Sequence, residues 1–185
     1  LARDWTPVGA VKAMTISLAI DTATNRTIVA IIADGKVLFE GFHEGATEHG
    51  FAITELVVKA LDVCPKPDQV VVGMGPGPFT GLRVGITFAR SFAMARDIPV
   101  IGVCSLDAIA IDKNDYTVAI DARRKEIYWA SYRDGQRVVG PEVSKPAEVI
   151  DFIIDQYPDL KKLVALSASQ NISEPMYLRR PDAVP

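Results

Sequence analysis

Glycine and proline dominate one loop of this sequence, Gly75-Pro76-Gly77-Pro78-Phe79-Thr80-Gly81, which joins an apolar run to an apolar helix. Glycines let a backbone come close to a ligand or to a second chain, and a helix N-terminus offers free N–H groups to an anion. The loop therefore indicates either a phosphate or partner site or a tight strand-to-helix connection, and neither is favoured. It is not a P-loop, because Gly-Lys-Ser/Thr is missing, and Pro78 and Thr80 replace the third glycine of a dinucleotide fingerprint.

Two polar turns could face a nucleotide. Asp21-Thr22-Ala23-Thr24 ends a predicted strand, and Asp121-Ala122-Arg123-Arg124-Lys125-Glu126 combines a carboxylate with basic residues at the equivalent corner of the second half. Either turn suits a phosphate in an actin-like nucleotide fold, but a plain polar strand end is the favoured explanation of both. The candidate nucleotide-facing residues are Asp21, Thr22, Thr24, Gly75, Gly77, Asp121 and Arg123.

Metal-ligating and nucleophilic residues are few. His43 and His49 do not share a helical face, so capping or surface roles are favoured over metal ligation. Cys64 and Cys104 are scattered, which fits reduced thiols better than a disulfide framework. No serine or cysteine stands in a recognisable triad pattern. We therefore predict no catalytic residue and no metal site.

Composition limits the remaining classes. Apolar residues make up 49% of the 185 residues, which favours a packed core over disorder. The net charge of -3 argues against a chain that grips RNA unaided, although such a chain could assist a basic partner. No apolar run approaches the ~20 residues of a membrane helix. We expect residues 1–13 to be a disordered extension.

The elements that must position these residues alternate in a regular order. Asp34-Gly35 is a strong hairpin signal and predicts an antiparallel three-strand meander at the start. The predicted first-half elements are strands 16–20, 27–33 and 36–40, helix 49–62, strand 69–73, helix 81–96 and strand 98–103. The predicted second-half elements are helix 105–111, strands 116–121, 126–133 and 136–139, helix 146–156 capped by Ser144, and strand 163–166.

The ordered motifs of the chain resemble the bacterial TsaB (YeaZ) family. They are Leu18 to Thr24, Gly75 to Gly85, Gly102 to Ala108, Asp121-Ala122-Arg123 with Glu126-Ile127-Tyr128, and Tyr177 to Pro181. The resemblance covers residues 14–185, with Pro78 where the family usually has serine and with a shorter second lobe. It implies an α/β, actin-like and RNase H-like (ASKHA) fold of two lobes with mixed sheets flanked by helices. The predicted lobes are residues 14–104 and a reduced lobe of residues 105–185.

The resemblance implies a non-catalytic scaffold and activator rather than an enzyme. Its expected partner is TsaD, which makes N6-threonylcarbamoyladenosine in tRNA, together with the ATPase TsaE that docks on the pair. A lone chain is expected to form a homodimer through the same helices, and to meet tRNA only through the complex. No cofactor of its own is implied, with ATP or ADP expected only at the interface with partners. The implied location is the cytoplasm.

The TsaD-like paralogue carries two metal-binding histidines four residues apart, and Ser105 and Ile109 stand at those positions here. The helix 81–96 is apolar around most of its circumference, broken only by Arg83, Thr87 and Arg90, so a partner should cover part of it. The predicted interface residues are His49, Ile53, Leu56, Val57, Phe79, Thr80, Leu82, Arg83, Ile86, Thr87, Arg90 and Met94.

Two other functions stay open on the sequence. One is a stand-alone actin-like kinase or hydrolase that uses Asp21 and Asp121 as magnesium-facing carboxylates. The other is a glycoprotease-like metallopeptidase, which the replacement of both histidines argues against.

Overall fold

The computed structural model describes residues 14–179 and contains two β-sheets; the predicted extension of residues 1–13 lies outside the described range. The first sheet has five strands in the order β3-β2-β1-β4-β5. The strands are β1 (Ile16–Asp21), β2 (Arg26–Ala33), β3 (Lys36–Glu44), β4 (Gln69–Gly73) and β5 (Val100–Val103). Strands β1 to β3 are antiparallel, whereas β1, β4 and β5 are parallel, so the predicted meander and the mixed sheet are confirmed.

Turn chemistry fixes the first hairpin. Asp34 and Gly35 have φ angles of 46° and 77°, the left-handed pair that a two-residue hairpin requires. The alternating side chains of β1 and β2 then point to opposite faces. Leu18 and Ile20 enter one core cluster, while Ala19 enters another on the far face.

Two helices cover one face of this sheet. They are α1 (His49–Val63) and α2 (Phe79–Arg96), and α2 begins two residues before the predicted start. Leu82, Ile86 and Ala89 of α2 are buried against the cluster that contains Val70 and Val72. Helix α2 ends because Asp97 adopts a left-handed conformation, with φ 53°, and Pro99 follows.

A third helix covers the other face of this sheet. It is formed by a stretch of sequence that was predicted to be a strand. Residues 163–166 belong to α3 (Leu160–Leu166), so the strand prediction is wrong. Asp159 caps this helix, because its carboxylate accepts a hydrogen bond from the Lys162 N–H at 3.0 Å. Leu160 and Leu163, one turn apart, are fully buried against the first sheet. Helix α3 therefore packs on the first lobe although it lies beyond the predicted lobe boundary at residue 105.

The second sheet has four strands in the order β8-β7-β6-β9. They are β6 (Asp115–Asp121), β7 (Ile127–Arg133), β8 (Gln136–Ser144) and β9 (Phe152–Ile153). The α/β class with two mixed, helix-flanked sheets is thereby confirmed. The predicted helix 105–111 shortens to a single 3-10 turn, Leu106–Ala108.

The predicted helix 146–156 is wrong. Only a 3-10 turn forms at Pro146–Glu148, and β9 follows. Asp151 and Asp155 have φ angles of 51° and 62°, and left-handed residues cannot continue a right-handed helix. Ser144 is the last residue of β8 and accepts the indole N–H of Trp129 at 3.0 Å instead of capping a helix.

The C-terminal segment returns from α3 along the first lobe, and its Met176 and Leu178 pack against the core cluster of the second. The backbone N–H of Ile172 donates to the Gly102 carbonyl, and that of Met176 donates to the Met74 carbonyl, both at 2.8 Å. Gly102 permits this approach, because a Cβ there would lie 2.1 Å from the Ile172 carbonyl oxygen. Within residues 14–179, every helix is too short or too polar to cross a membrane.

Candidate functional site

The loop from Gly73 to Gly77 is buried and faces its own chain. A Cβ on Gly77 would lie 2.5 Å from the Ala23 carbonyl oxygen, so the turn after β1 already occupies the space beside that glycine. Gly75, with φ 93°, lies against Leu82 of α2. Because protein atoms fill both positions, the glycines are explained by close packing of the two loops, and no space for a phosphate remains between those loops.

The same turn packs on the first part of α2. The Thr22 hydroxyl donates to the Gly81 carbonyl at 2.8 Å. A Cβ on Gly85, one helical turn later, would lie 2.2 Å from the Thr22 Oγ1. Gly81 and Gly85 thus form a flat face that receives the β1–β2 turn. The four-residue spacing of these glycines within a predicted helix is the sequence signal for this contact.

Asp21 is buried, and its hydrogen bonds help to hold these loops together. Its carboxylate accepts hydrogen bonds from the Ser105 hydroxyl at 2.6 Å and from the Ala23 N–H at 2.8 Å. Burial raises the pKa of Asp21 to about 6, and the two hydrogen bonds oppose this shift. The Ser105 hydroxyl in turn accepts the Gly75 N–H at 3.2 Å. Asp21 therefore joins the first strand to the start of the second lobe.

Only some of the residues predicted to face a nucleotide line a common cavity. Thr24, Asp121 and Arg123 line one cavity of ≈190 Å³ at the junction of the lobes. Asp21, Thr22, Gly75 and Gly77 are buried and do not line it, although Gly77 borders a neighbouring cavity together with Arg123. The cavity is smaller than the roughly 300–1,000 Å³ typical of small-molecule sites. These residues do not fit a complete private nucleotide pocket.

Half of the predicted interface residues are core residues. His49, Ile53, Leu56, Val57, Leu82 and Ile86 are at most 7% exposed, so their side chains do not form a surface. Thr80, Arg83, Thr87, Arg90 and Met94 are exposed. Phe79 is half-buried, because its ring lies 4.8 Å from that of Tyr177 in the C-terminal segment. The interface itself stays a prediction; these core residues add little side-chain surface to it, although Ile53 borders the groove between α1 and α2.

Other apolar side chains lie on the outer faces of these helices. Phe51 and Val58 of α1 are 70% and 57% exposed, and Met94 of α2 is 81% exposed. Between the helices lies a groove of ≈500 Å³, lined by Gly50, Ile53, Arg83, Val84, Thr87, Phe88 and Ser91. In the sequence, Phe51 and Val58 fall off the apolar stripe of α1, and this is the signal that could have identified them.

Arg90 is committed to an internal contact. Its guanidinium donates to the Ser173 carbonyl at 2.5 Å, which holds the C-terminal segment against α2. The two histidines also have internal partners. His49 Nδ1 lies 2.8 Å from the Thr27 hydroxyl, and burial lowers its pKa. His43 lies 2.5 Å from Glu48.

The positions of the paralogue's metal ligands hold no imidazole. Ser105 is bonded to Asp21, and Ile109 is 1% exposed in the second core cluster. Nearby, the Asp107 carboxylate accepts hydrogen bonds from the Tyr132 hydroxyl and the Gln170 amide, both at 2.7 Å. Among residues 14–179, no group of three or more His, Cys, Asp or Glu side chains is arranged to hold a metal ion.

Comparison with known proteins gives consistent matches. A family model described as TsaD, tRNA N6-adenosine threonylcarbamoyltransferase, matches residues 44–181. An uncharacterised protein of Mycobacterium leprae is 42% identical, over 93% of this chain and 57% of the relative. The tRNA threonylcarbamoyladenosine biosynthesis protein TsaB of Escherichia coli is 39% identical, over 63% of this chain and 54% of its own. The chain thus spans about half the length of these two relatives.

The protein of the same TsaB name from Buchnera aphidicola is 30% identical, over 80% of this chain and 75% of its own length. Among solved structures, YeaZ from Pseudomonas aeruginosa superposes with a TM-score of 0.72 at 23% identity. That superposition covers 84% of this chain and 91% of the YeaZ chain, so the two share a fold.

Proposed function

Because the chain belongs to the TsaB (YeaZ) family, we propose that it is a non-catalytic scaffold and activator subunit for N6-threonylcarbamoyladenosine modification of tRNA. In this proposal it binds a TsaD-like catalytic subunit, and through that subunit a TsaE-like ATPase. Alone, it pairs with a second copy through the same surface. It acts in the cytoplasm and meets tRNA only within the complex.

The observation that carries the proposal is the exposed groove between α1 and α2. Half-buried apolar side chains, Val84 and Phe88, line the groove, and the exposed Phe51 follows Gly50, which lines the groove from α1. Contiguous apolar surface on a folded chain commonly marks a protein interface, and arginine is enriched in such interfaces. Arg83 lines the groove, and its guanidinium lies 5.2 Å from the Phe79 ring. Two facing helices from a partner would bury this groove as a four-helix bundle.

A supporting role agrees with the chemistry of the described residues. Ser105 and Ile109 supply no metal-binding imidazole, so the transfer reaction is assigned to the TsaD-like partner. The four buried nucleotide candidates already contact protein atoms. We therefore assign any ATP or ADP to the interface with partners, where Thr24, Asp121 and Arg123 could contribute to a site completed by another chain.

Reconstitution of the modification from purified components tests the function. The TsaD-like and TsaE-like proteins, the enzyme that forms threonylcarbamoyl-adenylate and tRNA are incubated with and without this chain. We expect multiple-turnover formation of the modified adenosine only when the chain is present. Undiminished turnover without the chain would contradict the proposal.

Replacing Phe51 with glutamate should weaken assembly with little effect on stability. The side chain is 70% exposed, and a negative charge in the first turn of α1 suits the helix dipole. We expect the dissociation constant for the TsaD-like partner to rise at least tenfold, about 1.4 kcal/mol, because burial of a charge in an apolar interface is unfavourable. Co-elution and calorimetric titration measure this change.

Ile150→Glu is the matched control for Phe51→Glu. Ile150 is 83% exposed but lies in the second lobe, between the 3-10 turn and β9. Both variants should unfold within about 0.5 kcal/mol of the parent. Equal loss of binding in the two variants, or no loss in Phe51→Glu, would remove the exposed face of α1 beside the groove from the interface. Arg90→Glu is less suitable, because it also breaks the bond to Ser173.

A further inference from the structure

The turn between β6 and β7 holds three basic residues in an unusual backbone conformation. Arg123, Arg124 and Lys125 have φ angles of 63°, 54° and 61°, so three consecutive residues other than glycine are left-handed. Each such residue costs roughly 1–2 kcal/mol relative to the right-handed region. Three bonds hold the turn: the Arg123 N–H donates to Asp121 at 2.8 Å, the Ala122 N–H donates to the Glu126 carbonyl at 2.9 Å, and the Glu126 N–H donates to the Arg123 carbonyl at 3.1 Å.

This turn borders a second cavity, of ≈350 Å³, on the side that faces the start of α2. Its lining includes the arginines 123, 124 and 179 and the aromatic residues Phe79, Tyr128 and Tyr177, and it contains no Asp or Glu. The lining thus places arginines beside aromatic rings, and two of these arginines pair with carboxylates outside the lining, Arg123 with Asp121 and Arg179 with Glu126. The volume lies within the range of small-molecule sites.

The positive charge of the turn is available to a ligand at Arg123. Its pair with Asp121 has a separation of 3.4 Å, and the two side chains are 54% and 60% exposed. An exposed ion pair of this kind contributes little to folding stability. The arginine can therefore leave the Asp121 carboxylate for another anion. Arg179 instead holds the turn in place, because it pairs with Glu126 and donates to the Ala122 carbonyl at 3.1 Å. Arg123 is therefore the side chain that can turn toward a phosphate.

The first turn of α2 adds donors to the same cavity. Pro78 precedes the helix without a side-chain cap, and the first turn contains no acidic residue. Phe79 and Thr80 line the cavity and belong to the first turn, whose backbone N–H groups have no partner within the helix. Beside them, the Tyr177 ring is 37% exposed and packs on Phe79. A phosphate and a flat aromatic group would thus find partners next to one another.

We propose that this cavity receives one nucleotide unit, with its phosphate at Arg123 and the start of α2 and its base against Tyr177. Stacking on aromatic rings beside a basic backbone contact is how proteins hold unpaired nucleotides. An acidic peptide would use the arginines but not the rings. Resting on the proposed function, we assign the unit to an unpaired residue of the tRNA; a free nucleotide offers the same chemistry and is tested separately.

The test measures binding of fluorescently labelled tRNA to the complex of the chain with the TsaD-like subunit, at several salt concentrations. In Arg123→Gln, we expect the dissociation constant to rise about three- to tenfold. The slope of log affinity against log salt should fall by roughly 0.7 to 0.9, as expected for one lost phosphate contact. In Tyr177→Ala, we expect weakening of about five- to a hundredfold without a change in slope, since stacking is not ionic.

Arg133→Gln is the matched control. Arg133 is an exposed arginine at the far end of β7, about 20 Å along the strand from the turn at the rise of roughly 3.4 Å per residue. This variant should leave affinity and slope unchanged. Co-elution of every variant with the TsaD-like subunit is measured first, so a failure to assemble reports on the proposed function. In that case, the tRNA titration is repeated with enough TsaD-like subunit to saturate the weaker assembly, and that result decides the proposal.

Unchanged affinity and slope in Arg123→Gln would overturn the proposal. Titrations of the chain with AMP, inorganic phosphate and a polyglutamate peptide distinguish the other ligands. Binding of AMP or of the peptide that depends on Arg123, combined with unaltered tRNA binding, would replace the tRNA by that ligand and overturn the assignment. Weaker tRNA binding in both Arg123→Gln and Tyr177→Ala supports it.

Discussion

Replacing Gly73 with alanine is expected to lower the free energy of unfolding by about 3 kcal/mol or more. The new Cβ would lie 1.8 Å from Asp21 Oδ2 and 2.5 Å from the Ser105 Oγ. Both atoms are buried, so the carboxylate must move and lose its 2.6 Å bond to Ser105. For a chain of this length, 3 kcal/mol corresponds to a melting temperature lower by roughly 6–12 °C.

Gly50→Ala is the matched control for this substitution. Gly50 lies in α1 and is exposed, and a Cβ added there would meet open space, so alanine should raise the free energy of unfolding by up to about 1 kcal/mol. Urea denaturation of both variants measures the contrast. Similar stability of Gly73→Ala and the parent would show that the loop has room, and would reopen the phosphate interpretation of the glycine-rich loop.

The first lobe was predictable because its signals are local and repeated. The Asp34-Gly35 turn, the buried runs of β1 and β4 and the apolar periods of both helices each specify one element. The second lobe was not, since residues 146–156 carry a helical apolar pattern that left-handed Asp151 and Asp155 interrupt. The run 163–166 is too short for its period to distinguish strand from helix, and the cap at Asp159 decided the outcome.

The sequence is enough to propose an interface on α1 and α2, but not to say which of their side chains are exposed. The sequence directs attention to α1 and α2, yet apolar residues at helical spacing mark the inward face first. Leu82 and Ile86 accordingly lie in the core, whereas Phe51 and Val58, which fall off the stripe, lie outside. Tyr177 could not be assigned to the cavity beside Arg123, because only the return of the C-terminal segment brings it there.

We expect the free energy of unfolding to fall as pH rises from about 4 to about 6, because of the buried Asp21. Burial raises its pKa from 3.8 to about 6 in the folded chain, so the folded state binds the proton more tightly than the unfolded state. The stabilisation is complete below pH 3.8 and is lost as pH passes 6. A shift of this size corresponds to about 3 kcal/mol, because one pKa unit equals 1.36 kcal/mol.

Asp21→Asn isolates this contribution from the other carboxyl groups. Asparagine resembles the protonated acid, and can still accept the Ala23 N–H while its amide faces Ser105. Urea titrations at pH 4, 5, 6 and 7 should show the parent losing about 2.4 kcal/mol more than the variant over this range, because part of the effect is already lost at pH 4. At pH 7 the variant should be the more stable protein. Parallel pH profiles would contradict a buried, perturbed carboxyl group.

The same variant separates the scaffold from the stand-alone kinase or hydrolase. If Asp21 held magnesium and a nucleotide, Mg²⁺ with ATP would stabilise the parent in proportion to the logarithm of ligand concentration, and Asp21→Asn would abolish that effect. In the structure, both Asp21 oxygens already accept protein hydrogen bonds, and the side chain is fully buried. We therefore expect any shift in melting temperature caused by Mg²⁺ with ATP to be equal in the parent and in Asp21→Asn. A shift confined to the parent would overturn the structural role of Asp21 and favour the enzyme.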